Sequence, residues 1–180
     1  MKKLLICISM LLPMLLIGCG GNDTAERTPL EQYTEALLTQ FPNYKSNEMA
    51  LNAMNDSIKA HARAQIGTIP SDLSGMKFHF ENLKEGNDTC VAVFSATGYA
   101  EIDAPKNSQN KYITATPGIM VVGKVDKATA ASLDYNKEYS VTGEMFEWDA
   151  KPLNYSSVVD IPFGTYYLDA LTISEIPAQK

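Results

Sequence analysis

Val121-Val122-Gly123-Lys124-Val125-Asp126-Lys127-Ala128-Thr129-Ala130-Ala131-Ser132-Leu133 carries the chain from a strand into a short helix. The β-branched Val121, Val122 and Val125 favour extended backbone. Asp126 can cap a helix, and Ala128, Ala130 and Ala131 favour one. Lys137-Glu138-Tyr139-Ser140-Val141-Thr142-Gly143 then returns to a period of two, with Tyr139, Val141, Gly143 and Met145 on one face. A helix therefore interrupts a region that is otherwise strand-like.

Working outward from that stretch, Met76, Phe78 and Phe80 alternate with Lys77, His79 and Glu81, as in a half-buried strand. Lys84-Glu85-Gly86-Asn87-Asp88 reads as a turn, and residues 90–97 as a strand apolar on both faces. Glu101 to Asn110 reads as a polar loop containing Pro105. Ile113 to Val125 resumes strand character, broken at Pro117-Gly118. Downstream, residues 149–162 form a loop with Pro152 and Pro162, and Phe163 to Ile176 is the last strand. Its apolar parity switches near Asp169-Ala170, which predicts a bulge there. Five strand-like runs result, with the helix between the third and fourth.

Two helices come first. Thr28-Pro29-Leu30-Glu31 is a start signal: threonine caps, proline suits the first position, and Glu31 completes a capping box. Tyr33, Leu37 and Phe41 follow on one face, and Pro42 ends the helix. Ser46 or Asn47 caps a second helix to about Ile66, with Leu51, Met54, Ile58 and Ala62 at helical spacing. His61 on that helix and His79 on the first strand both read as solvated.

Five strands with a helix between the third and fourth suggest a mainly β chain with N-terminal helices, built as an OB-like five-stranded Greek-key barrel. The stretch Val121 to Leu133, the following Lys137 to Gly143, and Tyr44-Lys45-Ser46-Asn47-Glu48 ahead of the second helix resemble OB-type, tRNA-anticodon-like proteins found among bacterial lipoproteins. The alternative is a cystatin-like α+β fold, with a helix across a curved antiparallel sheet. On the first reading residues 29–66 are N-terminal helices packed as one domain with a barrel over 67–180. The resemblance implies ligand contact through Asn82 to Thr89 and Glu147 to Phe163. The second loop and the strand after it carry Trp148, Tyr155, Phe163 and Tyr166, with Tyr167 alongside. Aromatics with a polar tip suit protein or sugar contact; equally, they could pack over the open ends of the barrel.

The chain begins with Lys2 and Lys3, an apolar run over residues 4–17, and Leu16-Ile17-Gly18-Cys19. A membrane-spanning helix needs about 20 apolar residues, and a shorter run behind a basic front end reads as a signal peptide. The four residues ending at Cys19 resemble the lipobox of bacterial lipoproteins. That resemblance implies a signal peptide over 1–18, cleavage before Cys19, and acylation of Cys19, which would hold the protein on a membrane without a spanning helix. Residues 19–28 then form the lipidated cysteine and a flexible tether, with 20–28 reaching at most about 30 Å. Gly20 rather than aspartate after the cysteine resembles lipoproteins sorted to the outer membrane, so the expected location is the cell envelope.

Lys and Arg number 15 against 21 Asp and Glu, and losing Lys2 and Lys3 makes the balance more acidic still. Binding to phosphate backbones rests on basic residues, so the charge opposes a nucleic-acid partner. Once Cys7 leaves with the signal and Cys19 takes the lipid, Cys90 is alone and reads as a buried small hydrophobe. There is no Gly-x-Ser-x-Gly, no His-Glu-x-x-His, and no His and Cys set spaced for zinc. No cofactor, metal site or catalytic residue is expected. The sequence therefore predicts a non-enzymatic, membrane-anchored binding module whose partner is an envelope protein or glycan. The alternatives are an accessory subunit of an envelope complex that docks through residues 46–66, oligonucleotide binding by analogy with the OB-fold, and a hydrolase.

Overall fold

The computed structural model describes residues 26–86, 88–106, 108–150 and 158–178. The signal peptide, Cys19 and most of the tether lie outside the described residues, as does Tyr155.

Helix α1 (Pro29–Gln40) starts as its sequence predicts: Thr28 Oγ1 accepts from the Glu31 amide at 3.3 Å, and the Glu31 carboxylate accepts from the Thr28 amide at 2.9 Å. It buries Leu30, Thr34, Leu37 and Leu38. Thr34 is tolerated there because its hydroxyl donates back to the Leu30 carbonyl. Helix α2 (Glu48–Ala64) is capped by Asn47 and buries Met54, Ile58 and Ala62. Leu51 is 38% exposed instead of packed, and with the exposed Met49 it does not form a stripe, since neighbours on a helix face are three or four apart.

After a single 3-10 turn (Ser71–Leu73), the strands follow: β1 (Phe78–Glu85), β2 (Cys90–Thr97), β3 (Ala100–Asp103), β4 (Tyr112–Ala115) and β5 (Pro117–Val125). Helix α3 (Lys127–Ser132) is capped by Asp126, whose carboxylate accepts from the Thr129 amide at 2.8 Å. Then come β6 (Glu138–Thr142), β7 (Met145–Asp149), β8 (Ile161–Ala170) and β9 (Thr172–Ile176).

Seven strands form one mixed sheet in the order β7-β8-β5-β2-β1-β6-β9, with β5 and β8 parallel and every other pair antiparallel. The parallel pair departs from the wholly antiparallel sheet of the cystatin-like alternative. The two edges of the sheet belong to the same two runs of chain. Residues 138–149 supply β6 and β7, residues 161–176 supply β8 and β9, and these runs pair at both ends, as Thr142 with Thr172 and as Met145 with Leu168. The sheet curls accordingly into a barrel-like shape. Gly143 sits where the first run bends, and a Cβ there would meet the Ala170 carbonyl.

Two expectations need correction. Ala100–Asp103 is a strand, not loop, and pairs with Tyr112–Ala115 in a separate hairpin. Ala100 is fully buried and Ile102 packs against the core, which is enough apolar anchoring to order a short polar segment. The fourth and last runs are also each broken into two strands. The bulge expected at Asp169-Ala170 is present: Gly123 faces Leu168 and Lys124 faces Ala170, leaving Asp169 out of register.

One continuous core joins helices and sheet. Phe94 packs 5.7 Å from Phe80 and 5.8 Å from Tyr139 between ring centroids, and Phe78, Val121, Val141, Tyr166 and Leu168 complete the interior with Leu30, Leu37 and Leu38 from α1. Cys90 is buried among them, 4% exposed.

Candidate functional site

The aromatic patch expected around Trp148 does not form a surface. Phe163 and Tyr166 are fully buried although they are three residues apart, because the register of β8 shifts at Gly164 and turns both side chains inward. Trp148 is half-buried, and its indole N–H donates to the Phe163 carbonyl at 2.8 Å. Gly164, at φ +90, makes this possible: a Cβ there would lie 2.8 Å from the indole nitrogen. Packing over the sheet is thus the role of Trp148, Phe163 and Tyr166. The exposed aromatic on this flank is Phe146, 6.4 Å from the half-buried Tyr167 on the outer face. Burial, with the Asp149 and Glu147 carboxylates, pushes the Tyr167 phenol up.

Tyr166 points its hydroxyl at the most buried charge of the described residues. Asp72, in the 3-10 turn, has a side chain 1% exposed. It accepts from Tyr166 at 2.6 Å, from the Gln65 amide at 2.8 Å and from His61 Nε2 at 2.9 Å. A carboxylate only accepts, so His61 carries its proton on Nε2. Burial pushes the Asp72 carboxyl up, but the His61 and Tyr166 hydrogen bonds, the His61 charge and Gln65 outweigh it and hold the group below its ordinary value. The Tyr33 ring stacks on His61 at 3.8 Å, and its hydroxyl donates to the Ser57 carbonyl at 3.2 Å. Burial, then the Asp72 charge, raise the Tyr33 phenol.

His61 is therefore a structural partner, not the solvated residue expected. The signal for it lay in sequence: His61 and Gln65 share a helix face at i and i+4, and Asp72 follows just beyond the helix end. A carboxylate–imidazole pair is also two-thirds of a hydrolytic triad. Here the imidazole bonds only through Nε2, and no serine, threonine or cysteine side chain bonds to it among the described residues. The pair clamps α2 and the 3-10 turn to β8.

The largest hollow among those described lies elsewhere, where the α1–α2 turn (residues 42–46) faces the β3–β4 hairpin. It holds about 620 Å³ and is lined by Pro42 to Ser46 on one side and by Pro105, Ser108, Asn110 and Tyr112 to Thr114 on the other. Tyr44 is 4% exposed, and its buried hydroxyl has no hydrogen-bond partner among the described residues. The Lys45 ammonium lies 5.7 Å from the Tyr44 ring centroid and pairs with Asp160 at 3.2 Å. Burial raises the Tyr44 phenol, opposed by Lys45. Tyr112 is 42% exposed, with Lys111 held 4.8 Å from its ring centroid. Nothing in the sequence reading marked this cleft, because its walls are brought together by two turns about 60 residues apart.

Among the described residues no three His, Cys, Asp or Glu side chains are grouped to hold a metal ion, and no helix is long and apolar enough to cross a membrane. No protein-family model, curated protein or solved structure matches the chain.

Proposed function

We propose that this chain is a non-enzymatic lipoprotein of the bacterial cell envelope, tethered through acylated Cys19, whose barrel is an OB-like module that binds an envelope protein or glycan. Counting residues 138–149 and 161–176 as one bent strand each leaves five strands, with α3 between the third and fourth. The third and fifth, β5 and β8, run parallel. That order supports the OB-like reading. The binding role rests on the cleft of about 620 Å³, a volume within the range of ordinary ligand sites. The outer aromatics Phe146 and Tyr167 offer a smaller apolar contact on another flank.

Two experiments test the reading. Cys19→Ser should move the protein from membranes to the soluble fraction of fractionated cells; retention through a high-salt wash would defeat the anchor. A photocrosslinking residue placed in intact cells at Ser108, on the cleft wall, should trap a partner, while one at the exposed Lys84 should not. No adduct at Ser108 would defeat the binding module.

A further inference from the structure

We propose that the cleft between the α1–α2 turn and the β3–β4 hairpin takes a neutral saccharide, stacked on Tyr112 and hydrogen-bonded by Asn43 and Asn110. The inference rests on the binding-module reading and names its ligand class.

Charge is the first argument. Among the described residues Lys45 is the sole ionic side chain on the cleft wall, and Asp160 already pairs with it at 3.2 Å. The same carboxylate accepts from the Thr116 amide at 3.2 Å, which fixes it beside the lysine. An anion entering here would meet a compensated cation on an acidic protein, and a cation would meet no free carboxylate on the wall.

The rest of the wall is suited to hydroxyl groups. The Asn43 and Asn110 side-chain amides make no hydrogen bond among the described residues, and each offers both donors and an acceptor. Such paired capacity matches sugar hydroxyls, which also donate and accept. Tyr112 supplies a flat apolar surface. The Lys111 ammonium lies 4.8 Å from the centroid of that ring and is itself absent from the cleft lining. Tyr44 adds a buried hydroxyl with no partner, an unfavourable arrangement in the empty protein. A ligand hydroxyl that draws the exposed Lys45 chain aside would reach it. An apolar ligand would strand both amides, and so is disfavoured.

The test uses the full-length lipoprotein in detergent micelles, titrated by calorimetry with maltose, lactose and N,N′-diacetylchitobiose, and separately with inorganic phosphate. At least one disaccharide should bind saturably and phosphate should not displace it. Tyr112→Ala should weaken binding at least tenfold without changing the melting temperature. Tyr44→Phe should weaken binding severalfold while leaving stability equal or higher, because it deletes an unsatisfied group. Phosphate binding alone, no disaccharide binding, or equal affinity in Tyr112→Ala would overturn the saccharide proposal. A protein adduct at Ser108 alongside such a failure would leave the binding module standing; no adduct at all would remove both.

Discussion

Tyr166 and Asp72, 94 residues apart, are joined by a hydrogen bond of 2.6 Å in the interior of the protein. Tyr166→Phe keeps the ring and its packing but leaves the carboxylate short of one donor. Removing one partner of a buried charged group costs about 1–3 kcal/mol. The unfolding free energy should fall by that amount, read as a lower urea midpoint with an unchanged slope. An unaltered midpoint would mean that Gln65 and His61 satisfy Asp72 alone.

The same carboxyl sets an acid limb. Its pKa in the folded protein lies below its ordinary value, so the unfolded chain binds its proton first as pH falls. Stability from this group is fully present above the unfolded aspartate value of about 3.9 and is lost as pH drops through the lower folded value. Denaturant midpoints followed from about pH 6 to about pH 2 should decline through that window. Asp72→Asn should be less stable near neutrality and should show a flatter acid limb. Parallel curves for the two proteins would place the acid sensitivity elsewhere.

Gly164 carries the backbone bend beneath Trp148. Alanine there would combine a left-handed φ with contacts to the Asp149 carbonyl and the indole nitrogen. Left-handed backbone alone costs roughly 1–2 kcal/mol, so Gly164→Ala should lose at least about 2 kcal/mol. Trp148 is the sole tryptophan, so its fluorescence reports the same event: native emission should move toward longer wavelength. Emission identical to the parent protein would show that the strand absorbs the methyl group without moving the indole.

Cys90 is 4% exposed within the core. With Cys19 acylated, the mature protein should give no prompt reaction with a colorimetric disulfide reagent in native buffer, and one thiol per chain in denaturant. Rapid native labelling would show that the hollow lined by Cys90, Leu83, Ala130 and Ala131 admits the reagent to the thiol.

Much of the framework was legible because it is local. The Thr28 to Glu31 capping box, the Asn47 and Asp126 caps and the period-two runs at Phe78 and Tyr139 depend on residues within a few positions of each other. The bulge at Asp169 also declared itself, since one extra residue must invert the apolar parity. The β3 half of the β3–β4 hairpin did not, because that strand is anchored by Ala100 and Ile102 at the head of a polar stretch. The aromatic residues were misplaced for a related reason. Composition marks Phe163 and Tyr166 as adhesive, but simple alternation would set them on opposite faces, and only the irregularity at Gly164 turns both toward the protein's own interior. Asp72 and the cleft at Tyr44 were hidden more thoroughly, since each gathers groups from segments remote in sequence.

The seam between residues 138–149 and 161–176 has a consequence for biogenesis. Strand β9 closes one edge of the sheet against β6, and β8 just before it supplies the parallel partner of β5. Until those residues leave the ribosome, β5 and β6 both present raw edges, and Asp72 lacks the phenol that Tyr166 brings. The chain thus has no finished state to fall into while it is being made. Its folding waits for β8 and β9, and the strands made before them stay open until then.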